Sequence, residues 1–250
     1  MKKIIAVGFF IGAILFLNGC SDENNKKSEN ILQKNQLQEV SGYIPKTMDI
    51  NKKAKDNIGE AVSKENAKIN EMTSFDSKDR SFVEKYKEAV ITTNYGKISI
   101  RFYNADSPIT VNNFLKLASG GFYNGTKFHR VISGFMIQGG DPNSKDNDWS
   151  DDGQGGTDYT LPAEIKFKNA RGALATARLG DEVNPEKRSS GSQFYINTVN
   201  DTSLDGGYTV FGEVTAGMDV VDRIEKVKTN GNNHPIEDVF IQKIELLNGK

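Results

Sequence analysis

From Ala89 to Leu247 the chain is a succession of short apolar runs broken by Gly, Asn and Asp, and this punctuation limits its fold more than any single motif does. Ile98, Ile100 and Phe102 alternate with Ser99 and Arg101 after the turn-forming Asn94-Tyr95-Gly96-Lys97. That is the pattern of a hairpin with one buried face. Further strand-like runs follow at 128–138, 172–177, 192–197, 209–214 and 239–247. Two segments carry helical spacing. After Ser107-Pro108, the residues Val111, Phe114, Leu115 and Ala118 fall at i, i+3, i+4 and i+7, and Gly120-Gly121 close the segment. A shorter helix is predicted over 215–226, with Met218, Val221 and Ile224 inward. Many short strands with two helices predict a mainly β fold, a closed or nearly closed antiparallel barrel, because closure leaves no strand edge exposed.

The residues ahead of this domain are of a different kind. Lys2 and Lys3 precede an apolar run from Ile4 to Leu17, shorter than the roughly 20 residues a spanning helix needs, which gives residues 1–19 the shape of a signal peptide. The run ends in Leu17-Asn18-Gly19-Cys20, similar to the lipobox of bacterial lipoproteins, whose cysteine is lipidated and becomes the mature N-terminus. Cys20 is the only cysteine, so no intramolecular disulfide can form. Acyl chains, at about 0.8 kcal/mol per buried CH₂, would anchor the protein without a spanning helix. The expectation is an extracytoplasmic protein, lipid-anchored to a bacterial membrane through Cys20. Residues 20–85 are rich in Asn, Lys, Glu, Gln and Ser and have little to bury, so they read as a tether, with a short helix permitted over 53–72. The folded domain is expected over 86–250.

Residue types exclude several chemistries for that domain. A formal net charge of −1 leaves no basic excess to attract nucleic acid. One cysteine and two histidines, His129 and His234, supply too few ligands for structural zinc. The acidic loop Asp148-Trp149-Ser150-Asp151-Asp152-Gly153 has calcium-loop spacing at its start, but Tyr159 stands where a bidentate Glu is needed, so it reads as a solvated loop. Ser190-Gly191-Ser192-Gln193-Phe194 lacks the second glycine of a nucleophile elbow, and His129, among alternating apolar neighbours, reads as a packed strand residue. What remains is Arg130, Gln138, Arg178 and Gln193, set among aromatic and apolar residues. Such groups neither shuttle protons near neutral pH nor attack substrates, but they can hold and polarise a peptide.

Four stretches carry these residues in order: FHRVISGFMIQGGD (128–141), GALATAR (172–178), GSQFYIN (191–197) and LDGGYTVFGEV (204–214). Together they closely resemble the cyclophilin family of peptidyl-prolyl cis–trans isomerases, over about Val90 to Leu247. The resemblance implies an eight-stranded antiparallel barrel capped by two helices, and isomerisation of X–Pro bonds with no metal or organic cofactor. By position, Arg130 matches the catalytic arginine, and Gln138 matches a glutamine that holds both the substrate backbone and that arginine. Phe135, Met136, Tyr195 and Leu204 match the walls of the proline pocket, with Tyr208 at its rim. Ala177, Arg178 and Gln193 match the groove for residues preceding proline. This chain departs from the usual pattern with Arg178 for Asn, Tyr195 for Phe and Tyr208 for His. Ser203 stands at a frequent tryptophan position that contributes to cyclosporin binding, which implies weakened inhibition by that drug.

The chemistry expected of Arg130 follows from the amide. Rotation about C–N is opposed by a barrier of about 18–20 kcal/mol from resonance, and twisting returns a lone pair to the imide nitrogen. A guanidinium aimed at that nitrogen stabilises only the twisted form. The expected partners are proline-containing polypeptides and, through Cys20, a membrane. Nucleic acid is not expected, and the protein is expected to be a monomer assisting the folding of extracytoplasmic proteins. The alternative is a membrane-anchored module, chaperone or adhesin, that captures proline segments with little turnover.

Overall fold

In the computed structural model, which describes residues 75–248, the predicted hairpin forms from β1 (Glu88–Thr93) and β2 (Gly96–Phe102), paired in register from Glu88↔Arg101 to Thr93↔Gly96. The signal-peptide, Cys20 and 53–72 helix expectations fall outside the described residues. The stretch read as tether is not all extraneous to the domain. Helix α1 (Ser81–Lys85) buries Val83 in the core, and the Phe82 and Val83 amides donate to Asn112 Oδ1 at 2.9 Å each.

Helix α2 (Pro108–Ser119) spans the segment its spacing predicts and buries Val111, Phe114, Leu115 and Ala118. Its first turn is not capped by Ser107, whose hydroxyl donates to the Val210 carbonyl at 3.1 Å. Glu164 caps it instead, accepting from the Ile109 and Thr110 amides at 3.1 and 2.8 Å. A carboxylate there meets both orphan N–H groups and the positive end of the helix dipole.

The run at 128–138 was expected as one strand-like stretch, and the structure divides it. β3 (Arg130–Ile132) and β4 (Met136–Gly139) form a hairpin around Gly134, whose φ of +74° suits glycine. β5 (Thr160–Leu161) pairs with β7 (Ser189–Ser190) as a separate two-stranded sheet. β6 (Ala173–Thr176), β8 (Phe194–Asn197), β9 (Val210–Ala216) and β10 (Ile241–Leu247) complete the main sheet. Helix α3 (Met218–Glu225) starts later than 215 because β9 continues to Ala216 and the chain reverses at Gly217, φ +88°.

All eight strands of the main sheet are antiparallel to their neighbours, in the order β10-β1-β2-β9-β6-β8-β4-β3. The expected closed barrel is corrected to a curled half-barrel, because the edge strands β10 and β3 do not pair with each other. The outward amide of β3, Val131 N–H, donates instead to the Asn233 carbonyl at 2.8 Å, so a loop occupies that edge. The two margins meet just before the strands, through the bridge Lys127↔Phe240 and the bond from Phe128 N–H to Val239 O at 2.8 Å.

Strand periodicity divides the apolar residues between two clusters. Ile137, Leu174, Phe194 and Ile196 enter the main core, where Phe114 of α2 packs against Phe102, Tyr123, Phe194 and Phe211. Their chain neighbours Met136, Ala173, Ala175 and Tyr195 point the other way and make a second cluster with Val210. Successive side chains of a strand face opposite sides, so one sheet serves a core and a surface pocket at once.

Candidate active site

The second cluster is the base of the site. Register pairs Arg130 with Gln138, Gln138 with Tyr195, Tyr195 with Ala175 and Ala175 with Val210, a single row across five strands. The expected catalytic pair, an expected pocket wall and the small residues beneath them therefore share one face of the sheet. Met136 lies two residues before Gln138 on that face and is buried. Phe135, Leu204 and Tyr208 pack on the cluster, half-buried, and the cavity they border holds about 450 Å³.

Arg130 is exposed at the rim, and its Nη1 donates to Gln138 Oε1 at 3.2 Å. Gln138 Nε2 donates to Gln193 Oε1 at 2.9 Å, and Gln193 Nε2 donates to the carbonyls of Gly153 and Gly155 at 3.0 and 2.7 Å. The chain of bonds has one direction, from guanidinium to loop carbonyl. Both N–H groups of Gln193 are thereby used, whereas Gln138 keeps one N–H for a ligand. Gln193, expected to bind substrate in the groove, lines a cavity with Gln138, Ala177 and Arg178 and also accepts from Gln138.

Ala177 lines the same cavity, but its backbone is already engaged: its N–H donates to Gln193 O at 3.0 Å and its carbonyl accepts from Ser190 N–H at 2.8 Å. Arg178 is not an open cation in the groove. Its side chain is 7% exposed, pairs with Asp181 at 2.6 Å, donates from Nε to Gly207 O at 2.6 Å and lies 4.6 Å from the Tyr208 ring centroid. It staples two loops around Tyr208, which meets Tyr195 edge to face at 5.8 Å. Arginine suits that role by combining a flat face with several donors.

The extra hydroxyl of Tyr195 finds a partner in Asn169 Oδ1 at 2.8 Å. Burial pushes the phenol far above its ordinary range, so it is a donor. Asn169 also donates from Nδ2 to Leu204 O at 3.1 Å, and its amide donates to Asp205 Oδ1 at 2.8 Å, so it ties two pocket walls together. Sequence reading missed it, because an Asn ahead of a strand carries no periodic signal. Trp149, Asp152 and His234 were missed as wall residues as well. The acidic loop, expected to be solvated, is corrected at Asp152: its side chain is 5% exposed and its Oδ2 lies 2.7 Å from His234 Nε2. His129 is buried beside the cavity, with neither ring nitrogen hydrogen-bonded and its pKa lowered by burial. Among the described residues, no group of three or more His, Cys, Asp or Glu is placed to hold a metal ion.

Comparison with known proteins agrees with this arrangement. The profile of the cyclophilin type peptidyl-prolyl cis-trans isomerases matches residues 89–246. Peptidyl-prolyl cis-trans isomerase-like 1 of Mus musculus is 39% identical over 160 residues, 61% of this chain and 88% of the relative. Peptidyl-prolyl cis-trans isomerase-like 2 of Rhizopus delemar is 37% identical over 170 residues, 66% of this chain but 30% of that longer protein. The crystal structure of a Cryptosporidium parvum cyclophilin type isomerase superposes with a TM-score of 0.59 at 30% identity, covering 66% of this chain and 99% of its own. Such relatives correct the expected location: the isomerase-like proteins of Rhizopus, mouse and human and a peptidyl-prolyl isomerase of Arabidopsis thaliana are eukaryotic and give no evidence of a bacterial membrane anchor. On its profile match and its relatives, this chain belongs to the cyclophilin-type peptidyl-prolyl cis-trans isomerase family of enzymes.

Proposed function

We propose that the protein accelerates cis–trans isomerisation of X–Pro bonds in polypeptide chains and so assists their folding, with Arg130 as the group that acts on the amide. The proline ring enters the pocket of Phe135, Met136, Tyr195 and Leu204, and Gln138 holds the peptide backbone with its remaining N–H. The guanidinium then donates to the imide nitrogen, which accepts a hydrogen bond only when the amide is twisted. One observation carries the reading: an exposed arginine is aligned by a directed chain of two glutamine side chains along the edge of an apolar pocket. A ground-state peptide binder has no use for a donor so placed. The solved Cryptosporidium parvum isomerase was also crystallised in the presence of the dipeptide Ala-Pro, which fits a pocket of this chemistry.

The test is NMR exchange on an X–Pro peptide. Arg130→Ala is expected to lower kcat/KM by about 10²–10³ with the fold intact, the range for loss of one preorganised donor. Equal rates in variant and parent would refute the role of Arg130, and no acceleration by the parent would favour the binding-module reading. Cyclosporin binding is weakened in this proposal because Ser203 is an exposed serine whose side chain and amide are turned to Asp201. Ser203→Trp should tighten it in a titration, and unchanged affinity would remove Ser203 as the cause.

A further inference from the structure

One wall of the pocket is made by residues 82 positions apart in the chain. Asp152 Oδ2 lies 2.7 Å from His234 Nε2, and both side chains are almost wholly buried. The other ring nitrogen, Nδ1, lies 2.8 Å from the Pro235 carbonyl oxygen. A carboxylate and a carbonyl both accept, so satisfying the two at once requires two N–H groups, that is, an imidazolium. Trp149 stacks on this ring at 4.6 Å with the planes 22° apart, an arrangement in which an indole face favours a cation. Asp152 is followed directly by Gly153, whose carbonyl, with that of Gly155, takes both N–H groups of Gln193. The Gly153 and Gly155 amides are held in turn by Asp141 Oδ2.

We propose that His234 is a positioning residue for Arg130. As an imidazolium it clamps Asp152, the clamp fixes the Gly153 and Gly155 carbonyls, and these align Gln193, Gln138 and the guanidinium. The inference rests on Arg130 acting as proposed above. Loss of one ring proton leaves two acceptors facing a single N–H, so one bond breaks and the alignment loosens as pH rises. The other ionisable groups near the ring are Asp152 itself, Arg130, Arg178, Tyr195 and Tyr208 in the same cavity, and His129 and Asp141 beside Gly153. Carboxylates, guanidinium groups and phenols do not ordinarily change charge between about pH 6 and 9. His129 is kept neutral by burial and would charge only on the acid side.

The full chain is titrated by NMR while exchange of an X–Pro peptide, which needs no coupling protease, is followed across about pH 5 to 9. The side-chain amide signals of Gln138 and Gln193 are expected to shift with the same midpoint as the His234 ring. Above that midpoint kcat should fall about threefold to tenfold, the scale of one ordinary net hydrogen bond, with KM little changed. His234→Gln keeps a donor that does not titrate and should flatten the profile. His234→Phe keeps the stack on Trp149 without a donor and should stay at the slow alkaline rate. Glutamine signals that ignore the His234 titration would overturn the proposal, as would a His234→Gln profile identical to that of the parent. The NMR titration of the unmodified protein decides even if neither variant folds. Failure of the Arg130 reading would appear separately, as turnover unchanged in Arg130→Ala.

Discussion

Tyr195 shows how a residue that departs from its family's pattern is accommodated. Its hydroxyl is buried, and a buried donor without a partner costs about 1–3 kcal/mol, whereas removing donor and acceptor together can be nearly neutral. Asn169 supplies the partner and also holds Leu204. Asn169→Ala should therefore destabilise the protein by about 2–3 kcal/mol in urea unfolding and raise KM, since Leu204 loses its tie. Tyr195→Phe should cost about 1 kcal/mol or less and leave turnover within a few-fold. A larger cost for Tyr195→Phe than for Asn169→Ala would contradict this account of the pair. The sequence showed the added hydroxyl; it could not show which of many polar residues the fold delivers as its partner.

At the scale of elements, helix α2 was legible and its cap was not. The spacing of Val111, Phe114, Leu115 and Ala118 marks the buried face from local information alone. The N-terminus is satisfied by Glu164, some 54 residues away in sequence, which no local pattern announces. Glu164→Ala is expected to lower stability by about 1–2 kcal/mol, measured by urea unfolding, with turnover retained in the folded fraction. A Glu164→Ala protein as stable as its parent would mean that solvent serves the helix end equally well. The stretch at 128–138 teaches the complementary lesson. Its apolar content was plain, but a tight reversal at Gly134 makes it a hairpin, and that hairpin sets Arg130 opposite Gln138.

At the scale of the whole molecule, a single curled sheet separates stability from chemistry by its two faces, and buried histidine links stability to pH. His129 has its pKa lowered by burial in the folded protein, while the unfolded chain titrates near the ordinary value of about 6.5. Below that value the unfolded state binds more protons than the folded one, so this contribution to stability is lost as pH falls from about 6.5 toward the folded pKa. Urea midpoints at about pH 7 and 5.5 should converge in His129→Gln relative to the parent; an identical pH dependence in both would exclude His129 as the source. The sequence by itself determined the β-rich class and the buried face of α2, because periodicity is a local property of the chain, and Arg130, Gln138, Phe135 and Met136 became candidates through the family resemblance carried by four ordered stretches. Tertiary structure alone decided that Gln193 accepts from Gln138, that Arg178 donates to the Gly207 carbonyl, that Asp152 meets His234, and that the sheet stays open between β10 and β3. Each of those depends on hydrogen bonds between residues far apart in sequence, formed only once the fold has brought donor and acceptor within about 3 Å.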